Sequence, residues 1–561
     1  MSRVVKAVPL VVLCALIIAV PSVWANWLHD GVILCTASGD QYFPVIVSDG
    51  EGGAIVTWND YRSIGDIYAQ RVHATGVLKW TANGVALCAA TGAQVSPTIT
   101  SDGAGGAIVT WVDDRGRSLA IYAQRVDASG AVKWMTDGVA LCTAPGSKGW
   151  PQITSDGAGG AIVTWGDYNR SGAFEMDIYA QRVDASGAVQ WTVDGVALCA
   201  GTGNHVFPTI VSDGAGGAIV TWVDTRSGNS DIYAQRVSAA GVVKWTANGV
   251  ALCAATEDQE APQITSDGAN GAIVAWYDAR SGNNDIYARR VDASGVVQWT
   301  ANGVALCTAT GDQSDPKTIS DGEGGAIVTW NDGRGGSNDI YAQRVDASGA
   351  VQWTANGVAL CTATGGQSSP TIVSDGAGGA VVTWEDYRSA NTDIYAQRVN
   401  ASGAVQWTAN GVALCTVTGE QWRPTITSDG WSGAIVTWGD YRTGTSWKIY
   451  AQRVDASGFA PSAANDAPAV PIELHQNYPN PFNPATTVAY SIPERCSVAV
   501  KIYDVSGKCV ACLVDRQQEK GSHAVEWNGK DEKGNSAASG IYLCRLAAGN
   551  QTISRKMVLL K

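Results

Sequence analysis

Residues 368–415 read SSPTIVSDGAGGAVVTWEDYRSANTDIYAQRVNASGAVQWTANGVALC. Four segments rich in β-branched and aromatic residues, PTIVSD, GAVVTWED, DIYAQRV and AVQW through GVALC, are separated by Gly, Asp, Ser and Asn. Such alternation with turn residues between is the pattern of short strands joined by tight connections. We label the segments A to D in order. The A–B connection SDGAGG needs left-handed backbone, which Gly supplies without steric cost, and Asp can bond its own backbone there. The C–D connection, NASG here and mostly DASG elsewhere, does the same in fewer residues.

The same unit recurs along the chain. The Trp of segment B stands at 58, 111, 165, 222, 276, 330, 384 and 438, and the Trp of segment D at 27, 80, 134, 191, 245, 299, 353 and 407. Both series have spacings of 53, 54, 57, 54, 54, 54 and 54, so eight units fill residues 26–458. Four antiparallel strands per unit make a propeller blade. No sustained helical apolar period is present, and the turns of a right-handed β-helix are shorter than this repeat. The expectation is an all-β chain: an eight-bladed β-propeller of 54-residue repeats, then a small Ig-like β-sandwich. The first unit begins with an orphan D segment at residues 26–35, and the last stops after C at Gly458. The orphan segment is placed to complete blade 8 and so remove an open sheet edge.

Arg3 and Lys6 precede the apolar run Ala7–Val20, and Val23-Trp24-Ala25 fits a cleavage point, so residues 1–25 read as a secretory signal peptide. No later run is long enough to span a membrane. With 38 basic against 51 acidic side chains the chain carries −13, which disfavours nucleic acid and anionic membrane as partners.

Each unit carries Asp two residues after the B-segment Trp (Asp60, Asp113, Asp167, Asp224, Asp278, Asp332, Asp386, Asp440). Seven follow it with Arg two further on, and segment C adds another Arg, from Arg71 to Arg453. Paired carboxylates can perform acid/base work. Eight identical copies instead point to an ion pair repeated once per blade, because an enzyme needs one asymmetric site. No catalytic residue is assigned. Calcium on SDG or WxD is an open reading of hard oxygen donors, but no DxDxDG string occurs. The spacing Asp49 to Trp58 is too long for the Asp box of sialidase-like propellers. The five His residues show no metal-ligand spacing, so no metal or other cofactor is assigned.

Of the thirteen Cys, eight sit in the GVxLC strand (Cys35, Cys88, Cys142, Cys199, Cys253, Cys307, Cys361, Cys415). Equivalent points on adjacent blades of an eight-fold ring lie about 0.77 of their radius apart, so disulfides would need a radius below about 9 Å. Segment D should lie on the outer side of the blade, and these Cys are expected as small buried apolar groups.

Comparison of the eight copies shows near-fixed A–B and C–D loops but variable D–A and B–C loops, which share one face of the disc. That face holds Tyr42, Phe43, Trp150, Phe207 and Trp422 around the Pro of segment A. Its B–C loops add Tyr61, Tyr168, Tyr387, Tyr441 and Trp447. Aromatic platforms beside polar groups suit a glycan or protein ligand. Drift of unconstrained loops is the other reading of the same variation.

After the Pro/Ala-rich linker 459–474, residues 475–561 change character. Asn477-Tyr478-Pro479-Asn480-Pro481-Phe482-Asn483-Pro484, Tyr503-Asp504-Val505-Ser506-Gly507, Trp527-Asn528-Gly529, Ser539-Gly540-Ile541-Tyr542 and Lys556 through Lys561 follow in order. This module resembles the C-terminal sorting domain of the bacterial type IX secretion system, itself similar to the Ig-like domain of flagellar hook-capping proteins. The resemblance implies outer-membrane secretion machinery as partner and an extracellular or cell-surface location in a Gram-negative-type bacterium. The motif residues would be Pro479, Asn480, Pro481, Phe482, Asn483, Pro484, Gly540, Tyr542 and Lys556. Cys496, Cys509, Cys512 and Cys544 are outside that pattern. The repeats resemble those of uncharacterised bacterial surface propellers. The functional expectation is an exported, non-enzymatic, adhesin- or lectin-like binding protein, with a surface scaffold or a glycan-active enzyme as alternatives.

Overall fold

The computed structural model describes residues 27–168, 170, 175–460, 473–474, 477, 480–492, 496–505, 507–518, 521–548 and 551–560. Residues 1–25, which the sequence suggests as a signal peptide, most of the linker and Pro479 lie outside the described residues. The chain divides between Ala463 and Ala464 into two compact units.

The first unit is a closed ring of eight four-stranded antiparallel sheets. In blade 7, strand A spans Gln367–Ser374, B Ala380–Asp386, C Asp393–Val399 and D Val412–Cys415. Strand B is buried along its whole length in nearly every blade, because its sheet is covered on both faces by neighbouring blades. This is why AIVTW reads as an unbroken apolar run rather than an alternating one. The apolar clusters accordingly sit between blades: Trp27, Leu34 and Ile449 of blade 8 pack with Ala54, Val56 and Trp58 of blade 1.

Strand D is shorter than the sequence pattern implies. The VQW segment makes a single bridge to strand C, Val399 to Val405 in blade 7. A turn with left-handed Asn410 and Gly411 then separates it from the strand Val412–Cys415. The Trp becomes a peg to the next blade: Trp407 Nε1 donates to the Ala456 carbonyl at 3.1 Å, and Trp27 to that of Ala74 at 2.9 Å. Closure is by residues Val32–Ile33, which pair with Ala451 and Tyr450 of blade 8.

The second unit is a two-sheet β-sandwich. One sheet orders Glu473–Leu474, Thr486–Ile492 and Gly521–Trp527; the other orders Cys509–Gln518, Cys496–Asp504, Gly540–Ala548 and Gln551–Leu559. Phe482, Tyr490, Trp527, Tyr542 and Met557 fill its interior.

Candidate ligand-binding rim

The repeated charges build the disc. Asp386 is fully buried and accepts from Trp384 Nε1 at 2.8 Å, Arg388 Nε at 2.7 Å and the Arg388 amide at 3.0 Å. Arg388 also donates to the Asn410 carbonyl at 2.8 Å and lies 3.8 Å over the Tyr395 ring. At the first of these sites burial works to raise the Asp60 carboxyl, but bonds from Arg62 and Trp58 outweigh it and hold the pKa below its usual value. The SDG aspartates serve the turn: Asp375 accepts from Ala377 N and Gly379 N, both at 2.8 Å, and pairs with Arg398. The eight GVxLC cysteines are buried but not in purely apolar surroundings. Cys361 Sγ lies 3.8 Å from Asp386 Oδ2 and accepts from Arg388 at 3.2 Å.

The variable face is organised by a backbone feature that recurs in every blade. The residue before the strand A proline has positive φ in all eight: Phe43, Ser96, Trp150, Phe207, Ala261, Asp315, Ser369 and Arg423, between 51° and 56°. It occupies a bulge, as between Tyr42 and Val45 in blade 1. Left-handed backbone at Trp, Phe or Arg is strained, and such strain persists only where surrounding structure imposes it. Strands A are neighbours around the ring, as Thr425 Oγ1 bonding the Pro44 carbonyl at 3.3 Å shows. Side chains of six types therefore stand on one backbone conformation repeated eight times around the channel mouth.

Two aromatic clusters form on this rim. Trp447 is the hub of the first, 4.9 Å from Trp422, 5.1 Å from Tyr441 and 6.2 Å from Tyr42 between ring centroids. Tyr42 also contacts Phe43 and Tyr61. Burial, aided by its bond to Asp40, pushes the Tyr42 hydroxyl up to about 12. In the second cluster Trp150 meets Phe207 at 4.8 Å. Phe43, Trp150, Phe207 and Trp422 are each 40–47% exposed despite their size. Tyr387 instead supports Glu385, donating to it at 3.1 Å. Tyr168 stands outside both clusters, exposed at the end of its strand B opposite Met176.

The rest of the rim is polar, and its polar residues do not stand out in the sequence as the aromatics do. A depression of about 470 Å³ brings Phe43 and Trp422 together with Asp315, Lys317, Glu385 and Arg423. Glu385 accepts from Ser368 and Ser369 at 3.2 Å and from the Arg423 amide at 2.7 Å. Lys317 pairs with Asp315, and Arg423 lies 4.4 Å over the Phe43 ring. Across the mouth, Trp150 and Phe207 share a second depression with Glu260 and Tyr277, whose hydroxyl donates to Glu260 at 2.6 Å. Burial and that carboxylate push the Tyr277 pKa up. The sequence signal is the residue between Trp and Asp of WxD, where Asn59 and Asn331, Val112 and Val223, and Gly166 and Gly439 repeat while Tyr277 and Glu385 each occur once.

His205, unremarkable by spacing, lies buried beside Cys199, Asp177 and Asp224. Burial alone would lower its pKa, but Asp177, Cys199 and Asp224 outweigh that and lift it to about 10.

In the C-terminal unit Asn480, Phe482 and Tyr542 of the motif pack or bond within the sandwich, whereas Pro481, Asn483, Pro484, Gly540 and Lys556 are exposed. Phe482 is buried, its amide donates to the Val558 carbonyl, and its carbonyl accepts from Leu560 N. Asn480 Oδ1 accepts from Val558 N at 2.9 Å, and cis bonds precede Pro481 and Pro484. Asn480 to Pro484 thereby tie down the last strand, on which Lys556 lies. Gly540 opens the preceding strand, and Tyr542 packs edge-on to Trp527 at 5.1 Å.

Residues 484–552 match the family model of the FlgD Ig-like domain. A comparison with curated proteins finds no match. Among solved structures the chain is similar to a protein of unknown function from Dyadobacter fermentans, at 10% identity and TM-score 0.34 over 57% of this chain and 98% of that one. It is also similar to a PL25 ulvan lyase, at 12% identity and TM-score 0.41 over 78% and 99%. A third is an endo-arabinase from Bacteroides thetaiotaomicron, at 13% and 0.27 over 50% and 98%.

Proposed function

We propose that the propeller is a non-enzymatic binding module that holds a glycan or protein ligand at the channel mouth, and that the C-terminal unit directs its export. One observation carries the binding reading. Eight backbone positions of the same strained conformation carry Phe, Ser, Trp, Phe, Ala, Asp, Ser and Arg on an otherwise repeated disc. Drift would spread differences over loops of any conformation. Here large aromatics are kept half exposed on positions that disfavour them, which costs free energy that ligand contact can repay.

Immobilised glycans probed with the full chain, then with Trp150→Ala and Trp422→Ala, test this reading. Ala261 already occupies the Trp150 position in blade 5, so that variant keeps the fold. Binding lost in either variant is the expected result. Absence of glycan and protein ligands, or binding unchanged in both variants, would overturn it.

A glycan-active enzyme is the second reading, favoured by Glu385, Asp315 and Lys317 lining the same depression as Trp422 and Phe43. Product release from a bound glycan, abolished in Glu385→Gln with binding retained, would establish it over the first.

For export, the FlgD-type match and the tie between Phe482 and the last strand support a folded terminal module as the recognised element. Phe482→Ala should leave the chain inside a host that has the machinery; normal release of that variant would count against it.

A further inference from the structure

We propose that blades 3 and 4 are stapled by a divalent ion of the zinc class, held by Cys199, His205 and Asp224. The three residues come from three strands: Cys199 ends strand D of blade 3, while His205 opens strand A and Asp224 ends strand B of blade 4. Each offers one ligand atom, all lying within 4.8 Å of one another, and all three side chains are buried. Sulfur, nitrogen and oxygen donors together are a zinc set. Zinc–ligand bonds of about 2.0 to 2.3 Å meeting at a tetrahedral angle place ligand atoms about 3.5 Å apart. A modest closure of the side chains suffices.

The imidazole is oriented for the task. Nδ1 lies 2.9 Å from the Met176 carbonyl, which can only accept, so this nitrogen carries the proton. Metal-binding histidines are usually held this way through their other ring nitrogen. In the neutral ring that a metal binds, Nε2 turns a lone pair toward Asp224 Oδ2, 3.5 Å away, and this atom has no hydrogen-bond partner although His205 is fully buried. A buried polar atom without a partner is costly, and an ion between it and the two anionic donors satisfies it.

The other blades show what is special here. The position of His205 is Gln in six of them: Gln41, Gln94, Gln259, Gln313, Gln367 and Gln421. In those blades the side-chain amide donates to a D–A loop carbonyl, as Gln367 does to Gly365. Only in blade 4 does a nitrogen ligand face the Cys and Asp that every blade interface repeats. Arg226 reaches both in the structure, donating to Cys199 at 3.1 Å and to Asp224. It has anchorage apart from the ion's donors: Nε bonds Asp224 Oδ1 at 2.7 Å and Nη2 the Asn248 carbonyl at 2.8 Å. The ion takes Sγ and Oδ2 while those bonds remain. Binding releases the thiol proton and the Nε2 proton that the neighbouring anions hold on the ring in the metal-free chain, and the fourth position is open to water.

The test uses the full chain with Cys509→Ser and Cys512→Ser, which removes the exposed thiols. Purified without chelators, it should carry one zinc per chain. After chelation, Co(II) should give a thiolate charge-transfer band, and the melting temperature should fall and recover with Zn(II). His205→Gln installs the residue of six other blades and so folds; it should lose the metal and the band. Cys199→Ser should lose the band. A metal-free protein with no cobalt–thiolate band, as expected if His205 is only an imidazolium in the place Lys148 fills in blade 3, would overturn the proposal. So would equal uptake by His205→Gln.

Discussion

Arg442 donates from Nη2 to the carbonyl of Asp30 at 2.7 Å although 412 positions separate them. The Asp30 carboxylate also accepts from Thr416 N at 2.9 Å. Asp30 has the left-handed φ of Asn410, its counterpart in blade 7, so the first described residues reproduce the end of a blade. Deleting residues 26–35 removes these bonds, buried Trp27 and Leu34, and the strand covering Lys448–Val454. Losing the buried Trp alone costs about 3–5 kcal/mol, and the open edge invites pairing between molecules. Calorimetry should give a lower melting temperature and size exclusion soluble aggregates. A monodisperse variant of unchanged stability would mean the ring does not depend on this closure.

Gly349 tests the packing between blades. Its φ is +89°, and a Cβ there would lie 2.7 Å from the Trp299 ring, whose Nε1 is bonded to Ala347. Gly376, at φ +74°, has open space around the same position. Gly376→Ala should therefore cost only the backbone penalty of about 1–2 kcal/mol. Gly349→Ala should add about 1–3 kcal/mol of overpacking. Equal losses in chemical denaturation would show that the Trp peg yields freely.

The repeat made the propeller legible because a blade is local: its four strands lie within 54 residues, and Trp384 and Asp386 recur in phase. Ring closure could be read because Trp27 lacks its own A to C strands and Arg453 its own D strand. The length of strand D could not, because the break at Asn410 depends on φ, which Asn adopts without announcing it. The rim was half legible. Aromatics stood out against the repeat, but Glu385 and Tyr277 sit at a position whose importance comes from the bulge opposite. His205 had a signal, one of two departures from Gln at its position, the other being Lys148, and its meaning needed Cys199 and Asp224 brought beside it by packing between blades.

Acid sensitivity should trace partly to the C–D turns. Asp127 accepts from Ser129 Oγ at 2.6 Å and from the amides of Ser129 and Ala131. The Ser129 bond leads in holding its pKa at about 2, below the usual 3.8. A carboxyl lowered by folding stabilises above its unfolded pKa, and that contribution fades as pH falls from about 4 through about 2. Asn400 makes the same turn in blade 7 without a charge. Asp127→Asn should fold normally at neutral pH and show a shallower fall of melting temperature across that range. An unchanged acid slope would remove Asp127 from the account.

The cysteines divide by reactivity rather than by pairing. Twelve are described, and all are free thiols. Burial pushes Cys88 and Cys253 up to about 12, and Cys142, Cys307 and Cys361 up to about 11. Burial likewise takes Cys544 up to about 12. Only the thiolate attacks a disulfide reagent, so these groups are shielded twice, by access and by protonation. Cys509 and Cys512 are exposed. A disulfide reagent at mildly alkaline pH should therefore label these two quickly in the folded chain, Cys496 more slowly, and the remainder only after unfolding. Reductant should leave the melting temperature unchanged. If reductant lowers it, bridges join blades whose strand D cysteines stand apart in the structure. If eight thiols react in the folded state, the blade interfaces open readily, which the buried Trp pegs and Asp–Arg pairs argue against.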